Sequence, residues 1–235
     1  RPDLFKDQTV FVTGSSQGIG SAIAELFAGL GAQVVAHGSR KENCQRVKTA
    51  ISATDGRCDV VAGDLGNPDE AHRIAGEVNR LVGGRLDHLI HNAATCEQRT
   101  LSQLTLAEWQ KTLSANLTSN FILTQQLLPA IEAGKGKSIV LISSVVTLLG
   151  ISDSAAYTAS KAGQIGLMRT LAGEFGKKGI RVNALLPGLV MVDRILRQYG
   201  PDYGKKIATQ YQLIPYVIQP GDIAASAAFL CSDAA

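Results

Sequence analysis

The chain has 235 residues, of which 45% are hydrophobic and 24 are glycine, enough for one substantial α/β core but not for a second domain. A net charge of only +3, with dispersed basic residues, argues against a nucleic-acid-binding protein. The four cysteines form no Cys-x-x-Cys pair and have no histidines at metal-ligand spacing, so the sequence indicates neither a metal site nor a disulfide framework, and we expect a cytoplasmic location.

Strand-like apolar runs alternate with helical patterns along the chain. The runs are Val10–Val12, Gln33–Ala36, Asp59–Ala62, His88–His91, Ser138–Ile142 and Arg181–Leu185. This alternation predicts an α/β fold, a doubly wound parallel sheet with helices on both faces. The carboxyl ends of all strands then lie at one edge, where ligands bind. The longest apolar stretch, 139–151, is too short to span a bilayer, so we expect no membrane contact.

A glycine-rich turn follows the first predicted strand. Residues 13–20 read Thr-Gly-Ser-Ser-Gln-Gly-Ile-Gly, and a helical pattern begins directly after them. Glycine without a Cβ lets the backbone approach a pyrophosphate, and the N-terminus of the next helix attracts its charge, so the turn indicates dinucleotide binding. The spacing differs from the usual Gly-x-Gly-x-x-Gly. Taken alone, the segment equally fits a tight β–α connection.

Tyr157 and Lys161 lie four residues apart in a predicted helix, and Ser144 follows the fifth predicted strand. Helical spacing places the phenol and the ammonium on one face. A nearby cation favours phenolate, so we expect Lys161 to lower the pKa of Tyr157 until the phenol can exchange a proton with a substrate oxygen. By itself the pair also fits a solvated helix face, and Ser144 fits a turn at a strand end.

The helix that carries this pair is predicted over 155–176 and has small and apolar residues on more than one side. One sheet cannot cover so much apolar surface, which predicts burial against a second subunit. Segment 192–217 contains two glycines and two prolines, and we expect it to be irregular. A last helical pattern covers Ala224–Leu230.

The ordered set of motifs resembles the short-chain dehydrogenase/reductase family. The set comprises Thr13–Gly20, Asp64-Leu65, His91–Ala94, Asn116, Ser144, Tyr157, Lys161 and Pro187-Gly188, and it spans nearly the whole chain. The resemblance implies one Rossmann-like catalytic domain over residues 1–235, with a substrate lid at 192–217. It also implies an enzyme that transfers a hydride with a nicotinamide cofactor.

The resemblance assigns roles to individual residues. The implied catalytic residues are Asn116, Ser144, Tyr157 and Lys161. The implied cofactor-binding residues are Gly14, Ser16, Gln17, Gly18, Ile19, Gly20, Ser39, Arg40, Asp64, Leu65, Asn92, Ala93, Tyr157, Lys161, Pro187, Gly188 and Val190. Tyr157 would supply the proton and Ser144 would hold the carbonyl oxygen. Lys161 would also grip the nicotinamide ribose, and Asn116 would hold a water that links this lysine to solvent.

Ordinary structural roles compete with three of these assignments. Asn116 could be satisfied by a local backbone contact. Asn92 could be a turn residue that closes the fourth strand, and we expect it in part to support the adenosine pocket structurally. Asp64 is expected to accept a hydrogen bond from the adenine amine, but it could instead cap the helix that begins near Pro68.

The end of the second strand bears on the choice between NADP and NAD. Family members that prefer NAD have an acidic residue there, which would repel a 2′-phosphate. Here the position is Gly38, followed by Ser39, Arg40 and Lys41, a hydroxyl and two cations that suit the extra phosphate of NADP. If Ser39 simply caps the next helix and the cations are solvated, either cofactor fits.

The chain departs from the family pattern at several positions. His91 replaces a common asparagine, and Ala94 a common glycine. Val192 stands where a threonine often bonds the nicotinamide carboxamide, so a backbone or lid contact must hold the ring. The family's last strand does not follow the final helical pattern, and we expect either a truncated sequence or a sheet without that strand.

The favoured function is that of an NADP(H)-dependent alcohol dehydrogenase or carbonyl reductase acting on a small molecule, as a cytoplasmic homodimer or homotetramer. One alternative is a 3-oxoacyl-carrier-protein reductase. Such enzymes tend to have basic residues for carrier docking at the positions of Pro129 and Gly173, and neither residue here is basic. Another alternative is a non-catalytic dinucleotide-sensing protein, which would not need all four catalytic residues.

Overall fold

The computed structural model describes residues 3–235, which contain one six-stranded parallel sheet in the order β3-β2-β1-β4-β5-β6. The strands are β1 (Thr9–Val12), β2 (Gln33–Gly38), β3 (Arg57–Ala62), β4 (His88–His91), β5 (Ser138–Ile142) and β6 (Arg181–Leu185). All six predicted strands are present. β2 and β3 are longer than predicted because their pairing runs from Gln33 opposite Arg57 to Gly38 opposite Ala62.

Helices connect the strands and cover both faces of the sheet. In the described part of the chain they are α1 (Gly18–Gly29), α2 (Lys41–Ser52), α3 (Pro68–Leu81), α4 (Leu106–Leu113), α5 (Ser119–Ala133), α6 (Ala155–Phe175), α7 (Asp193–Tyr199), α8 (Tyr203–Tyr211) and α9 (Pro220–Cys231). A π-helical turn, Ser114–Thr118, joins α4 to α5. The predicted doubly wound, Rossmann-like fold is confirmed.

Two hydrophobic clusters lie on the two faces of the sheet. Alternate residues of a strand point to opposite faces, so Phe11 belongs to one cluster and Val10 and Val12 to the other. The Phe11 side is covered by α3, α5 and α6, and the opposite side by α1, α2 and α9. This double burial explains why the strands are continuously apolar rather than alternating.

Segment 192–217 is more regular than expected. It contains the two short helices α7 and α8, separated at Gly200, whose φ of +80° suits a residue without a side chain. The last helix is also longer than its apolar pattern. It begins at Pro220 because Gln219 and Asp222 form a reciprocal capping box there.

The parallel arrangement places the carboxyl ends of all six strands at one edge. Within residues 3–235, no helix combines the length and the apolar character needed to cross a membrane.

Candidate active site

The glycine turn after β1 is shaped to let a ligand approach its backbone. Gly14 and Gly18 have φ values of +63° and +61°, which favour glycine. A Cβ added at Gly14 would lie 2.7 Å from Ala93 Cα, so no larger residue fits there. No side chain caps the N-terminus of α1 behind Gln17, which leaves its first N–H groups available to an anion. The turn therefore fits the pyrophosphate of a dinucleotide.

A cavity of about 230 Å³ lies beside this turn. Its lining includes Ser16, Gln17 and Gly18 from the turn and Met191 and Val192 from the segment after β6. A Cβ added at Gly18 would lie 3.2 Å from Val192 Cγ1, so this valine packs directly on the turn. Val192 thus gives the turn an apolar wall where the family resemblance implied a threonine hydroxyl.

Asn92 ties the loop after β4 to the glycine turn. Its side-chain amide donates to the carbonyl oxygens of Thr13 and Gly14, both at 3.0 Å. The Thr13 hydroxyl accepts from the backbone N–H groups of Asn92 and Ala93, at 2.9 and 3.0 Å. These contacts agree with a supporting role for Asn92 beside the expected cofactor, and Gly20 packs against the same amide.

At the end of β2, Ser39 and Arg40 are both exposed. The cap position of α2 is Arg40, and no side chain caps the helix, so the alternative in which Ser39 caps it is wrong. A Cβ added at Gly38 would lie 2.7 Å from Cys44 Sγ and 3.1 Å from Ser16 Cβ. Glycine is therefore also required here by crowding.

Asp64 lies at the end of β3 and is exposed, whereas Leu65 is buried. The Asp64 carboxylate accepts from Gly66 N at 2.8 Å. α3 is capped instead by Asn67, whose side chain accepts from Asp69 N at 2.9 Å. The competing explanation of Asp64 as the cap of this helix is wrong.

Asn116 sits in the π-helical turn and is fully buried. Its side chain accepts from Thr95 N at 2.8 Å and donates to Thr95 O at 2.9 Å and to Ser160 Oγ at 3.0 Å. These partners are far along the chain, so the alternative of a local backbone contact is wrong. π-turns in long helices are frequent at functional sites.

Lys161 is almost completely buried on α6. Its Nζ donates to Ile142 O at 2.6 Å and to Gln164 Oε1 at 3.4 Å, and lies 5.6 Å from the centroid of the Tyr157 ring. Burial lowers the pKa of Lys161 to about 7, because a charged amine is poorly solvated in this interior. The predicted pairing of phenol and ammonium on one helix is thus present.

The electrostatics of Tyr157 differ from the expectation. Its pKa is raised, mainly by burial and secondly by Cys96, while the nearby Ser144 hydroxyl and Arg194 act in the lowering direction. Lys161 is not among the groups that lower it; burial lowers the pKa of this lysine itself to about 7, so its amine is largely neutral at the high pH where a phenol loses its proton. The phenol is therefore held in its protonated form, which is the form that donates a proton.

Ser144 follows β5 by two residues, and its hydroxyl accepts from Val146 N at 3.3 Å at the start of a short 3-10 turn. It therefore also has the ordinary role of a turn serine. The loop after β6 packs against this turn, since Pro187 O accepts from Val145 N at 3.1 Å. Beyond Gly188, Val190 is buried.

The structure thus gathers the expected site residues at one edge. They come from the glycine turn (Gly14, Ser16, Gln17, Gly18, Ile19, Gly20), the loops after β2 to β6 (Ser39, Arg40, Asp64, Leu65, Asn92, Ala93, Ser144, Pro187, Gly188, Val190), the π-turn (Asn116) and α6 (Tyr157, Lys161). In residues 3–235, no group of three His, Cys, Asp or Glu side chains is placed to hold a metal ion.

Sequence reasoning missed several buried polar residues that hold the site. Gln164 Nε2 donates to Asn116 O at 2.7 Å while its oxygen accepts from Lys161. His37 contacts the glycine turn from β2. Two signals could have indicated them. His37 is a polar residue in an otherwise apolar strand, and Gln164 lies three positions after Lys161 on the same helix.

Comparisons with known proteins agree with this geometry. The family model described as "Enoyl-(Acyl carrier protein) reductase" matches residues 14–235. The "Probable galactose dehydrogenase" of Rhizobium meliloti is 33% identical over 99% of this chain and 90% of its own. The structure of a 3-oxoacyl-(acyl-carrier-protein) reductase from Agrobacterium tumefaciens with NADP bound is 31% identical, covers 99% and 90% of the two chains and has a TM-score of 0.90.

A candidate NAD(P)-dependent gluconate 5-dehydrogenase from Beutenbergia cavernae, with NADP bound at low occupancy, is 32% identical, covers 100% and 93% of the two chains and has a TM-score of 0.89. Family match, identity and fold agree over nearly the whole length of the chain. The chain therefore belongs to the short-chain dehydrogenase/reductase family and is an NAD(P)-dependent oxidoreductase that acts on CH–OH or C=O groups.

Proposed function

We propose that this protein transfers a hydride between NADP(H) and a small carbonyl or secondary-alcohol substrate, with Tyr157 as general acid and base. The observation that carries the proposal is the placement of Tyr157 on α6 beside the Ser144 hydroxyl, with the Lys161 ammonium 5.6 Å from the phenol ring. A proton donor and a second hydroxyl are what a developing alkoxide requires.

Each of these side chains has a separate role in carbonyl reduction. A bound nicotinamide supplies the hydride. Ser144 donates a hydrogen bond to the substrate oxygen, and Tyr157, protonated at neutral pH, gives that oxygen its proton. Lys161, which donates to Ile142 O here, would bind a ribose hydroxyl of the cofactor, and Asn116, bound to Thr95 and Ser160, keeps the π-turn attached to the loop after β4 and to α6.

The cofactor would be held by the cofactor residues gathered at the carboxyl edge. The uncapped N-terminus of α1 would bind the pyrophosphate, and Asp64 and Leu65 would border the adenine. For the 2′-phosphate, an exposed Arg40 next to Ser39 and a glycine in place of an acidic residue favour NADP. Two relatives of similar fold, solved with NADP bound, support this preference.

We infer that the chain is one catalytic domain, with α7 and α8 as its substrate lid, and that it works in the cytoplasm. The lid is supported by the contact of Val192 with the glycine turn, which couples the start of α7 to the cofactor edge. The cytoplasmic location is supported by four free cysteines, which suit a reducing environment.

A 3-oxoacyl-carrier-protein reductase is the second candidate, favoured by the relatives that carry this name. The absence of a basic residue at Pro129 and Gly173 weighs against docking of an acidic carrier protein. A screen of ketones, keto-sugars and acyl thioesters with NADPH tests both candidates. Turnover of a free ketone or keto-sugar supports the proposal. Turnover of thioesters alone would favour the reductase, and cofactor binding without turnover of any substrate would favour a sensor.

A further inference from the structure

We propose that His37 is a positioning residue that fixes the two loops expected to hold the adenosine half of the cofactor. This inference rests on the proposed cofactor site. His37 is the residue before Gly38 in β2, and only 3% of it is exposed. Its side chain reaches the loops after both neighbouring strands.

The imidazole makes one contact on each side. Gly14 N donates to Nδ1 at 3.1 Å, and Nε2 lies 3.1 Å from Gly63 O. Because Nδ1 faces an N–H and Nε2 faces a carbonyl oxygen, a neutral imidazole with its proton on Nε2 satisfies both. Burial lowers the pKa of His37 to about 4, which preserves this neutral form at physiological pH.

The backbone of the same residue completes the attachment. Ser15 N donates to His37 O at 2.8 Å, and His37 N donates to Ser15 Oγ at 2.9 Å. Two consecutive residues of the glycine turn are therefore bound to one residue of β2. The edge of the Phe11 ring packs against the imidazole at 6.4 Å between centroids, which restricts its rotation.

The topology explains why a side chain is needed for this link. β1 and β3 are separated by β2 in the sheet, so their following loops share no ladder hydrogen bonds. Gly14 and Gly63 are both glycines, which have the widest range of accessible backbone conformations, so ordering them costs conformational entropy. An imidazole that joins them across β2 removes this freedom before the cofactor binds, and preorganisation of this kind improves affinity.

Three substitutions separate the two contacts. His37→Asn keeps an acceptor near the Nδ1 position, His37→Gln keeps a donor near the Nε2 position, and His37→Leu keeps neither. The matched control is His88→Leu, since His88 is also buried in the sheet but lies at its amino edge, bonded to Ser138 Oγ and Gln8 Oε1. Folding of each variant is checked by thermal unfolding.

Two measurements are made on each purified protein. NADPH affinity is measured by fluorescence titration, and hydrogen–deuterium exchange of the peptide that contains Gly14 is measured without cofactor. We expect His37→Leu to raise the Kd for NADPH roughly tenfold and to speed exchange at Gly14, while kcat at saturating NADPH changes less than about twofold. The Asn and Gln variants recover part of the affinity, and His88→Leu keeps the wild-type Kd.

Wild-type affinity and exchange in the Leu variant would overturn the inference. If that variant does not fold, the Asn and Gln variants decide it, since wild-type Kd and exchange in both would also overturn it. If His88→Leu raised the Kd for NADPH as much as His37→Leu does, the effect would come from general destabilisation, and the inference would likewise be overturned. Failure of the wild type to bind NADPH or NADH would instead contradict the proposed function, and exchange at Gly14 would still test the attachment.

Discussion

The Tyr157 phenol is partly buried and protonated, and it is expected to carry the catalytic proton. Replacing it by phenylalanine keeps the ring packing on α6 but removes that proton. We expect Tyr157→Phe to lower kcat by about 10²- to 10⁴-fold while the Kd for NADPH stays within about twofold of wild type. Steady-state kinetics with the best substrate and a fluorescence titration measure the two quantities.

Thr49→Val is the control for this test, because it also removes a hydroxyl but at an exposed residue of α2, outside the proposed lid and the expected site residues. It should leave kcat unchanged. If Tyr157→Phe retained more than about half of the wild-type rate, the general-acid assignment would be wrong.

Lys161 is expected to serve both the cofactor ribose and the phenol, so its loss should affect binding and turnover together. We expect Lys161→Ala to raise the Kd for NADPH and to lower kcat, each by about tenfold or more. Lys177→Ala, at an exposed lysine just after α6, should change neither. An unchanged Kd in Lys161→Ala would mean that the buried ammonium does not reach the cofactor.

At the scale of elements, the end of β2 is expected to select NADP. Arg40→Ala removes a cation from beside the expected 2′-phosphate, so kcat/KM for NADPH should fall about tenfold while that for NADH changes little. Arg80→Ala, at an exposed arginine at the end of α3, is the control and should leave the ratio unaltered. If the wild-type protein prefers NADH, Arg40 does not bind the 2′-phosphate.

The same element limits how far this preference can be redesigned. Gly38→Asp would add a carboxylate that repels the expected 2′-phosphate, but its Cβ would meet Cys44 Sγ at 2.7 Å. We therefore expect Gly38→Asp alone to lower the unfolding midpoint and Gly38→Asp with Cys44→Ala to restore part of it. Together with Arg40→Ala, the relieved variant should prefer NADH, and thermal unfolding followed by kinetics with both cofactors checks the two steps.

At the scale of the molecule, three buried histidines should make stability depend on acid pH. Burial lowers the pKa values of His37 and His88 to about 4, and burial followed by the Lys161 charge lowers that of His91 to about 3. Below the unfolded value of 6.5 the unfolded chain binds protons that the folded chain does not. The stability that the three neutral imidazoles contribute is therefore fully present above pH 6.5 and is lost as pH falls toward 4.

As pH falls below 6.5, we expect the free energy of unfolding to decrease by up to about 1.4 kcal/mol per pH unit for each of these histidines. Urea unfolding at several pH values between about 7.5 and 4.5 measures the slope. His88→Gln should make it shallower, whereas His72→Gln, at an exposed histidine of α3, should not change it. A stability that is flat over this interval would contradict the prediction.

Assembly into a homodimer or homotetramer through α5 and α6 remains a prediction. Phe121 on α5 is half exposed, and a side chain added at Gly166 on α6 would meet open space. Gly166→Glu should thus be harmless within one subunit but should place a charge in the interface and convert the assembly to monomers. Gly76→Glu, at an equally open glycine of α3, should not. Light scattering at micromolar concentration measures both, and a monomeric wild type would refute the assembly.

The strands, the glycine turn and the helix that carries Tyr157 and Lys161 could all be predicted from local sequence. Each of these is encoded locally, in short apolar runs, in residues without a Cβ or in a four-residue spacing, so no distant part of the chain had to be known. Their shared edge also followed, because parallel strands joined by right-handed crossovers leave all carboxyl ends together.

The protonation states of the site residues and the hydrogen bonds that hold them follow from tertiary contacts. The pKa of Tyr157 depends on how deeply the ring is buried and on its contacts with Cys96 and Ser144, and neither is visible in the spacing. Asn116 finds its partners at Thr95 and Ser160, and His37 joins two loops across β2. Such contacts link residues far apart along the chain. Desolvation and long-range hydrogen bonds therefore exist only once the chain has folded.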